Sequence, residues 1–232
     1  MVVAAHALSI SVVIPCFRDE AALALLLPKL RRSLPRPGEI VVVFADALPS
    51  PSLVTLCVAH EVVTVTAPRG RGLQLRSGAA AARGDVLWFL HADAVPPAAA
   101  IERIRAAVMD GAVGGYFRFR FAGSRTLLKS LLEHAIALRC LVSMVYGDQA
   151  IFATRAAYAA TPGFAAAPLF EEVPLVRGLR RVGRFVAISD SVEVSPRRWE
   201  RDGYLQRTLV NRMLALGYSL GISPERLASW YR

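Results

Sequence analysis

The chain has 232 residues, of which 54% are hydrophobic and 20% are charged. This composition suits one packed globular domain and excludes a disordered chain. The net charge is +10, and nearly all basic side chains are arginine. Such a charge suits phosphate groups, on a small ligand or on a lipid surface, although a solvated basic face explains much of the excess. Nucleic acid fits poorly, since no motif for it is present and aromatic residues make up only 8%.

Cysteine usage and the N-terminus bear on the cellular compartment. Cys16, Cys57 and Cys140 are an odd number without paired spacing or a histidine cluster, which argues against disulfides and zinc and predicts a cytoplasmic protein. The stretch up to Ile14 lacks the basic flank and cleavage site of a signal peptide, so we expect an unprocessed first strand. The apolar segment 127–146 contains four ionisable residues and fails as a membrane span, which leaves a peripheral membrane contact open.

Apolar and helical segments alternate along the first half of the chain. The predicted strands are 8–14, 40–44, 62–66 and 86–90, and the predicted helices between them are 20–34, 52–60 and 73–83. This alternation with short connections predicts a parallel sheet wound by right-handed crossovers. We therefore expect an α/β fold, with a mostly parallel central sheet flanked by helices, in a single domain over residues 1–232.

The second half has a different pattern. A helix over 98–109 is followed by Gly114–Phe121, where phenylalanine and arginine alternate with period two, as in a half-exposed strand. The later predictions are a helix over 126–144, a loop at Gly147 and Asp148, a strand over 150–153, a helix over 171–182 and one long terminal helix over 198–220.

The most informative position is Asp93, which follows the apolar run 86–90. Ligands of open α/β sheets bind at the carboxyl ends of strands, and a carboxylate there can hold a divalent cation that neutralises a diphosphate leaving group. Asp93 can equally be the acid that precedes the helix after Pro96 and Pro97. The position alone does not separate these two interpretations.

Short motifs spread over nearly the whole chain resemble, in their order, family 2 glycosyltransferases with the GT-A fold. The closest resemblance is to a small bacterial subgroup described as radical-SAM/selenodomain-associated. The motifs that carry it are Gly70-Arg71 with Gln74, Leu90-His91-Ala92-Asp93, Gly114-Gly115, Tyr146-Gly147-Asp148-Gln149, Phe170-Glu171-Glu172 and Arg197-Arg198-Trp199. The resemblance implies metal-assisted, inverting transfer of a hexosyl group from a nucleotide-diphosphate sugar to an unidentified acceptor. It assigns 1–95 to the nucleotide and 96–232 to the acceptor.

The resemblance also implies a donor site. Asp93 corresponds to the last acid of the family's Asp-X-Asp motif and would be the direct ligand of Mn²⁺ or Mg²⁺, while His91 stands at the first acid and would contact the metal or a phosphate. Arg71 and Gln74 open a helix after a glycine-rich turn, which suits a diphosphate, although ordinary helix initiation explains them as well. The residues left for the nucleotide are Pro15, Asp19, Glu20 and Asp46.

A second set of residues is assigned to catalysis and to the acceptor. The acids Glu171 and Glu172 precede an apolar helix, and we expect one to face the cleft and the other to cap the helix or pair with an arginine. By resemblance, Glu172 is the catalytic base and Glu171 orients the acceptor. The remaining acceptor-side residues are Asp148, Gln149, Arg198 and Trp199, for which a turn and a helix start are the alternatives.

One departure from the family pattern affects the nucleotide base. Relatives place an aspartate directly after the second strand, whereas Phe44 stands here and Asp46 follows two residues later. Asp46 replaces that aspartate, or Phe44 stacks on the base, or the nucleotide site is lost. Two other functions therefore stay open: a non-catalytic scaffold that binds a nucleotide sugar or a partner, and a nucleotidyltransferase, which shares the sheet and the metal aspartate.

Overall fold

The computed structural model describes residues 8–35, 37–46, 49–142 and 144–230. Within these ranges the strands are β1 (Ile10–Cys16), β2 (Glu39–Ala45), β3 (Val62–Ala67), β4 (Val86–Phe89), β5 (Gly114–Phe121), β6 (Phe152–Thr154) and β7 (Phe185–Val194). The helices are α1 (Glu20–Ser33), α2 (Pro51–Ala59), α3 (Arg71–Ala81), α4 (Ala100–Met109), α5 (Leu127–Val142), α6 (Arg155–Ala159), α7 (Val173–Val182), α8 (Arg197–Asp202), α9 (Tyr204–Ser219) and α10 (Pro224–Trp230). None of these helices is long and apolar enough to cross a membrane.

The strands form one seven-stranded sheet in the order β3-β2-β1-β4-β6-β5-β7. Only β6 runs against its neighbours, because it pairs antiparallel with both β4 and β5 while every other pairing is parallel. The predicted α/β class with a mostly parallel sheet is confirmed. The strand order reverses at β1, since β2 and β3 lie on one side of it and β4 lies on the other.

Helices cover both faces of the sheet, which explains why its central strands are apolar without alternation. Ile10, Val12 and Ile14 of β1 belong to the core cluster that contains residues of α1, α2 and α4. Val13, on the opposite face of β1, belongs to the cluster that contains residues of α3, α6 and α7. The two cores hold β1 and β4 on both faces, and so fix where the carboxyl ends of these strands lie.

Some predicted elements differ from the structure. The single terminal helix over 198–220 is wrong: Gly203, at φ 84°, separates α8 from α9. Strand β7 was not predicted, since its sequence alternates acids and hydroxyls with apolar residues and it lies at the sheet edge. The predicted alternation of β5 is confirmed over Phe117–Phe121, where the phenylalanines are buried and the arginines exposed. The predicted helix over 126–144 includes Ser143, which lies outside the described residues.

Candidate active site

A cavity of about 1090 Å³ opens at the carboxyl ends of β1 and β4, where the strand order reverses. This is the position at which open α/β sheets bind their ligands. Most residues predicted for the site line this one cavity, although they are far apart in sequence. They are Pro15, Asp19, Arg71, Gln74, His91, Asp93, Asp148, Glu171, Glu172, Arg198 and Trp199.

Three predicted residues do not line the cavity. Glu20 accepts hydrogen bonds from the hydroxyl and the backbone N–H of Ser50, and so joins the starts of α1 and α2. Asp46 accepts a hydrogen bond from the backbone N–H of Arg69, which fixes the loop before α3. Gln149 is 1% exposed, and its amide bonds to groups of the surrounding core. Each of the three supports a neighbouring segment through its hydrogen bonds.

The amide group of Gln74 is also engaged within the protein. Its Nε2 donates to the backbone carbonyls of Cys16 at 3.0 Å and of Val43 at 2.7 Å. Because a primary amide has two donor hydrogens, both are used in tying α3 to the ends of β1 and β2. Gln74 therefore positions Arg71, one turn earlier in α3, and does not offer its N–H groups to a ligand.

Arg71 and Glu171, which both line the cavity, form an ion pair. The distance between Arg71 Nε and Glu171 Oε1 is 2.7 Å, and the carboxylate side chain is only 3% exposed. The close approach of the two segments requires Gly72, because a Cβ there would lie 1.8 Å from the carbonyl oxygen of Ala165. The expectation that one of the two adjacent acids pairs with an arginine is confirmed.

Glu172 is the second acid before α7, and it too lines the cavity, although we expected only one of the pair to do so. Burial, followed by the negative charge of Glu171, raises its pKa to about 8, and the Arg71 guanidinium opposes this rise. Because this pKa lies above 7, Glu172 holds a proton at neutral pH in the unliganded protein. The residue before the two acids, Phe170, has a left-handed backbone conformation with φ 59°.

His91 lies between two arginines at the end of β4. Its Nε2 is 3.5 Å from a terminal nitrogen of Arg71, and a Cβ on Gly147 would lie 3.3 Å from the same atom. Burial, followed by the charges of Arg71 and Arg198, lowers the pKa of His91 to about 3. The imidazole is therefore neutral at pH 7 and can accept or donate one hydrogen bond through each ring nitrogen.

Asp93 stands in a loop that is held on both sides. The backbone N–H of Leu90 donates to the carbonyl of Val13 on β1, and Val95 exchanges two backbone hydrogen bonds with Glu193 on β7. The Asp93 side chain is 31% exposed, and a terminal nitrogen of Arg197 lies 3.5 Å from its Oδ2. Its carboxylate thus remains accessible to a ligand.

Asp148 is a second carboxylate on the same side of the cavity. Its Oδ1 is buried and has no hydrogen-bond partner in the part of the chain that the structure describes. Burial raises the pKa of Asp148, and the charge of Asp93 contributes to this, while Arg139 and Arg71 lower it. No three His, Cys, Asp or Glu side chains gather as a metal site among the described residues. Two carboxylates nonetheless fit Mg²⁺ or Mn²⁺, because such ions take one or two protein carboxylates plus substrate phosphates.

Phe44 does not reach the cavity. It is 4% exposed and packs in the core cluster against residues of α1 and α2, so stacking of a nucleotide base on Phe44 is ruled out in this structure. Another aromatic residue takes the place at the end of β1: Phe17 lines the cavity, and the guanidinium of Arg69 lies 4.5 Å from its ring centroid. Phe17 was not among the predicted site residues, although its position directly after β1 was an available signal.

Arginines outnumber acids along the cavity wall. Among the described residues, eight arginines line it, namely Arg69, Arg71, Arg139, Arg197, Arg198, Arg201, Arg207 and Arg212, against the five acids Asp19, Asp93, Asp148, Glu171 and Glu172. Of these arginines, only Arg71 and Arg198 were predicted as site residues from the sequence. Trp199 packs its ring on Phe121 at a centroid distance of 5.1 Å, and so fastens α8 to the sheet. The cavity as a whole suits a ligand with several negative charges.

Comparisons with known proteins agree with this architecture. Glucosyl-3-phosphoglycerate synthase from Mycobacterium tuberculosis, solved with Mn²⁺, UDP and glucosyl-3-phosphoglycerate, is similar at 19% identity and a TM-score of 0.60, over 81% of this chain and 71% of that chain. The same enzyme with Mg²⁺ and UDP is 20% identical at a TM-score of 0.59, over 81% and 70%. A mycobacterial protein is 21% identical at 0.57, over 81% and 65%.

These identities show the GT-A fold alone, and no curated protein matches the sequence. The family model of glycosyl transferase family 2 matches residues 11–156, more than half of the chain. This range begins in β1 and ends in α6, and it includes Arg71, His91, Asp93 and Asp148. On this match, the chain belongs to glycosyl transferase family 2.

Proposed function

We propose that this protein transfers a hexosyl group from a nucleoside-diphosphate sugar to an acceptor, with inversion at the anomeric carbon. The observation that carries the proposal is the meeting in one cavity of Asp93, the Arg71–Glu171 ion pair and the buried acid Glu172. These groups supply what glycosyl transfer needs: a site for the diphosphate, stabilisation of its charge and a base for the acceptor. The subgroup suggested by the sequence motifs and the cytoplasmic location stay predictions.

The donor diphosphate would bind at the start of α3. Arg71 stands at the first residue of this helix, where free backbone N–H groups and the helix dipole favour an anion. Phe17, at the end of β1, offers an aromatic surface for the base. Some of the similar solved structures contain UDP or UDP-glucose, so uridine diphosphate is the first nucleotide to test.

A divalent cation would be held by Asp93, with Asp148 as the nearby second carboxylate. Such a cation, when bound, neutralises charge on the departing diphosphate. The partly exposed carboxylate of Asp93 and the unpartnered Oδ1 of Asp148 support this assignment. Two of the similar solved structures were obtained with Mn²⁺ and with Mg²⁺, respectively.

Glu172 would act as the general base. Its carboxylate takes the proton of the acceptor hydroxyl while the acceptor oxygen bonds to the anomeric carbon and the bond from that carbon to the diphosphate breaks. Glu171 would hold Arg71 in place through their ion pair. Because burial raises the pKa of Glu172 to about 8, the base is ionised in a growing fraction of molecules as the pH rises toward 8.

A non-catalytic scaffold that binds a nucleotide sugar is the second candidate. One observation favours it: Phe44 stands where relatives have an aspartate that reads the base, and it is buried in the core. A scaffold would bind the donor without turning it over. This difference makes the two functions separable by experiment.

The deciding experiment incubates the protein with a panel of nucleotide sugars and Mn²⁺ or Mg²⁺ and measures free nucleoside diphosphate. Slow hydrolysis that is lost in Glu172→Gln and retained in Glu102→Gln, an exposed acid on α4, supports the transferase. Binding without release of the diphosphate favours the scaffold. Release of pyrophosphate from a sugar phosphate and a nucleoside triphosphate would instead identify a nucleotidyltransferase.

A further inference from the structure

Large apolar side chains stand in solvent along one side of α9. The side chains recur at helical spacing and are each between 61% and 75% exposed: Leu205, Leu209, Met213, Leu216 and the C-cap residue Leu220. A helix of a globular protein normally turns such a stripe toward the core. Here the buried side of α9 is provided by other residues, among them Leu214. The packing that holds α9 against the rest of the protein therefore does not use the exposed stripe.

A second stripe lies on α5. Leu127, Leu131 and Leu138 are 78%, 59% and 65% exposed and also recur at helical spacing. The two stripes meet at a groove of about 400 Å³, which both Leu138 and Leu216 line. We call these eight side chains the leucine face. A row of exposed apolar side chains on one side of a helix marks an interaction site, whereas a single exposed leucine does not.

The groove is continuous with the candidate active site. The groove and the main cavity share several lining residues, namely Ala135, Arg139, Tyr146, Phe170, Arg212 and Ala215. The groove, which Leu138 and Leu216 of the leucine face line, thus lies beside the cavity. Whatever covers this part of the face also lies beside the cavity.

The charges around the leucine face are positive. Helices α5 and α9 contain a single acid, Glu133, whose carboxylate is paired with Arg125 at 2.8 Å. Arg212 is exposed and lies on the α9 stripe, three residues after Leu209 and four before Leu216. An apolar helix face with arginine at its edge fits the boundary between lipid head groups and acyl chains.

We propose that the leucine face docks onto the surface of an anionic phospholipid bilayer. The leucines would enter the boundary between head groups and acyl chains, and arginine would pair with lipid phosphates. A second copy of the chain fits this face less well, because it brings a net charge of +10 against another +10. An anionic bilayer instead complements that charge. The proposal does not depend on the transferase function.

The test is co-sedimentation of the full chain with vesicles of phosphatidylcholine alone and with added phosphatidylglycerol. The variant carries Leu209→Ser, Met213→Ser and Leu216→Ser, and a matched control carries Leu25→Ser and Val58→Ser, which are 72% and 73% exposed on α1 and α2. We expect the wild type and the control to sediment with phosphatidylglycerol vesicles, and binding by the variant to fall about tenfold. Added salt should weaken wild-type binding, since part of it is electrostatic.

Three results would overturn the proposal. The first is a wild-type chain that stays in the supernatant with phosphatidylglycerol vesicles, and the second is equal binding by the wild type and the triple variant. The third comes from sedimentation velocity: a wild-type dimer that the triple substitution converts to a monomer would identify a second copy as the occupant. Circular dichroism of the variants checks that each is folded before these comparisons are made.

Discussion

Replacing Glu172 with glutamine should change how the stability of the protein depends on pH. Burial raises the pKa of this carboxyl from 4.5 to about 8 in the folded chain, so the folded state keeps a proton that the unfolded state releases. The stability due to this proton is fully present below pH 4.5 and is lost as the pH rises through about 8. Glutamine keeps the neutral shape without the titration.

The size of the effect follows from the same pKa. The free energy of unfolding falls by about 1.4 kcal/mol for each pH unit over which only the folded state holds the proton. Between pH 6.5 and 9 it should therefore fall by about 2 kcal/mol more in the wild type than in the variant. For a domain of this length, that corresponds to about 4 to 8 °C in Tm. The shifted pKa values of His91, Cys16 and Cys57 are common to both proteins, so the difference between the proteins isolates Glu172.

Thermal unfolding of the wild type, Glu172→Gln, Glu171→Gln and Glu102→Gln at several pH values from 6.5 to 9 measures this difference. Glu102 is an exposed acid on α4, and its variant should follow the wild type. Parallel Tm profiles of the wild type and Glu172→Gln would refute the argument. If only Glu171→Gln removed the pH dependence, the proton would reside on Glu171 and the roles of the two acids would be exchanged.

Three further predictions concern the ligands. Asp93→Asn should keep the fold but weaken Mn²⁺-dependent binding of a nucleoside diphosphate, because an amide lacks the charge that a hard cation needs; unchanged affinity in calorimetry would remove Asp93 from the cation site. Glu172→Gln should lower turnover about a hundredfold with little change in donor binding, and wild-type kcat/KM should rise with pH up to about 8; turnover retained by the variant contradicts a base role. Phe17→Leu should weaken nucleotide binding by about 1 to 3 kcal/mol, similarly for different bases, as a thermal-shift panel would show; an unaffected panel would place the base elsewhere.

The sheet was predictable because its signal is local. Val86, Leu87, Trp88 and Phe89 are all buried, and a strand covered on both faces shows this as an uninterrupted apolar run. β7 lies at the edge, where Ala187 and Ser189 have one open side. Its mixed sequence does not differ from that of a loop, so pairing with β5 had to be seen in three dimensions.

The site was predictable in its location, and less so in the use of each side chain. The motif order brought Arg71, Asp93 and Glu172 to one cavity, because each follows or precedes a predicted element at the same edge of the sheet. The sequence does not reveal that the amide of Gln74 is bound to two backbone carbonyls. It also does not reveal which phenylalanine near a strand end turns outward, since that depends on the twist of the strand and on the helices packed beside it.

The pairing of Asp93 with Arg197 implies that the cation and the diphosphate bind cooperatively. The pair is long, at 3.5 Å, and the arginine side chain is 69% exposed, so the pair contributes about 1 kcal/mol or less. A cation held by Asp93 would compete with Arg197 for this carboxylate, and a bound diphosphate would give the released arginine a partner. We expect Mn²⁺ alone to bind weakly and its affinity to rise at least about fivefold when uridine diphosphate is present, with the reciprocal effect on the nucleotide.

Calorimetric titration of Mn²⁺ with and without the nucleotide measures the coupling; equal affinities would show that Asp93 and Arg197 do not exchange partners. In Arg197→Ala the affinity for Mn²⁺ alone should rise while the coupling falls. The substitution removes both the guanidinium that competes with Mn²⁺ and one contact to the diphosphate.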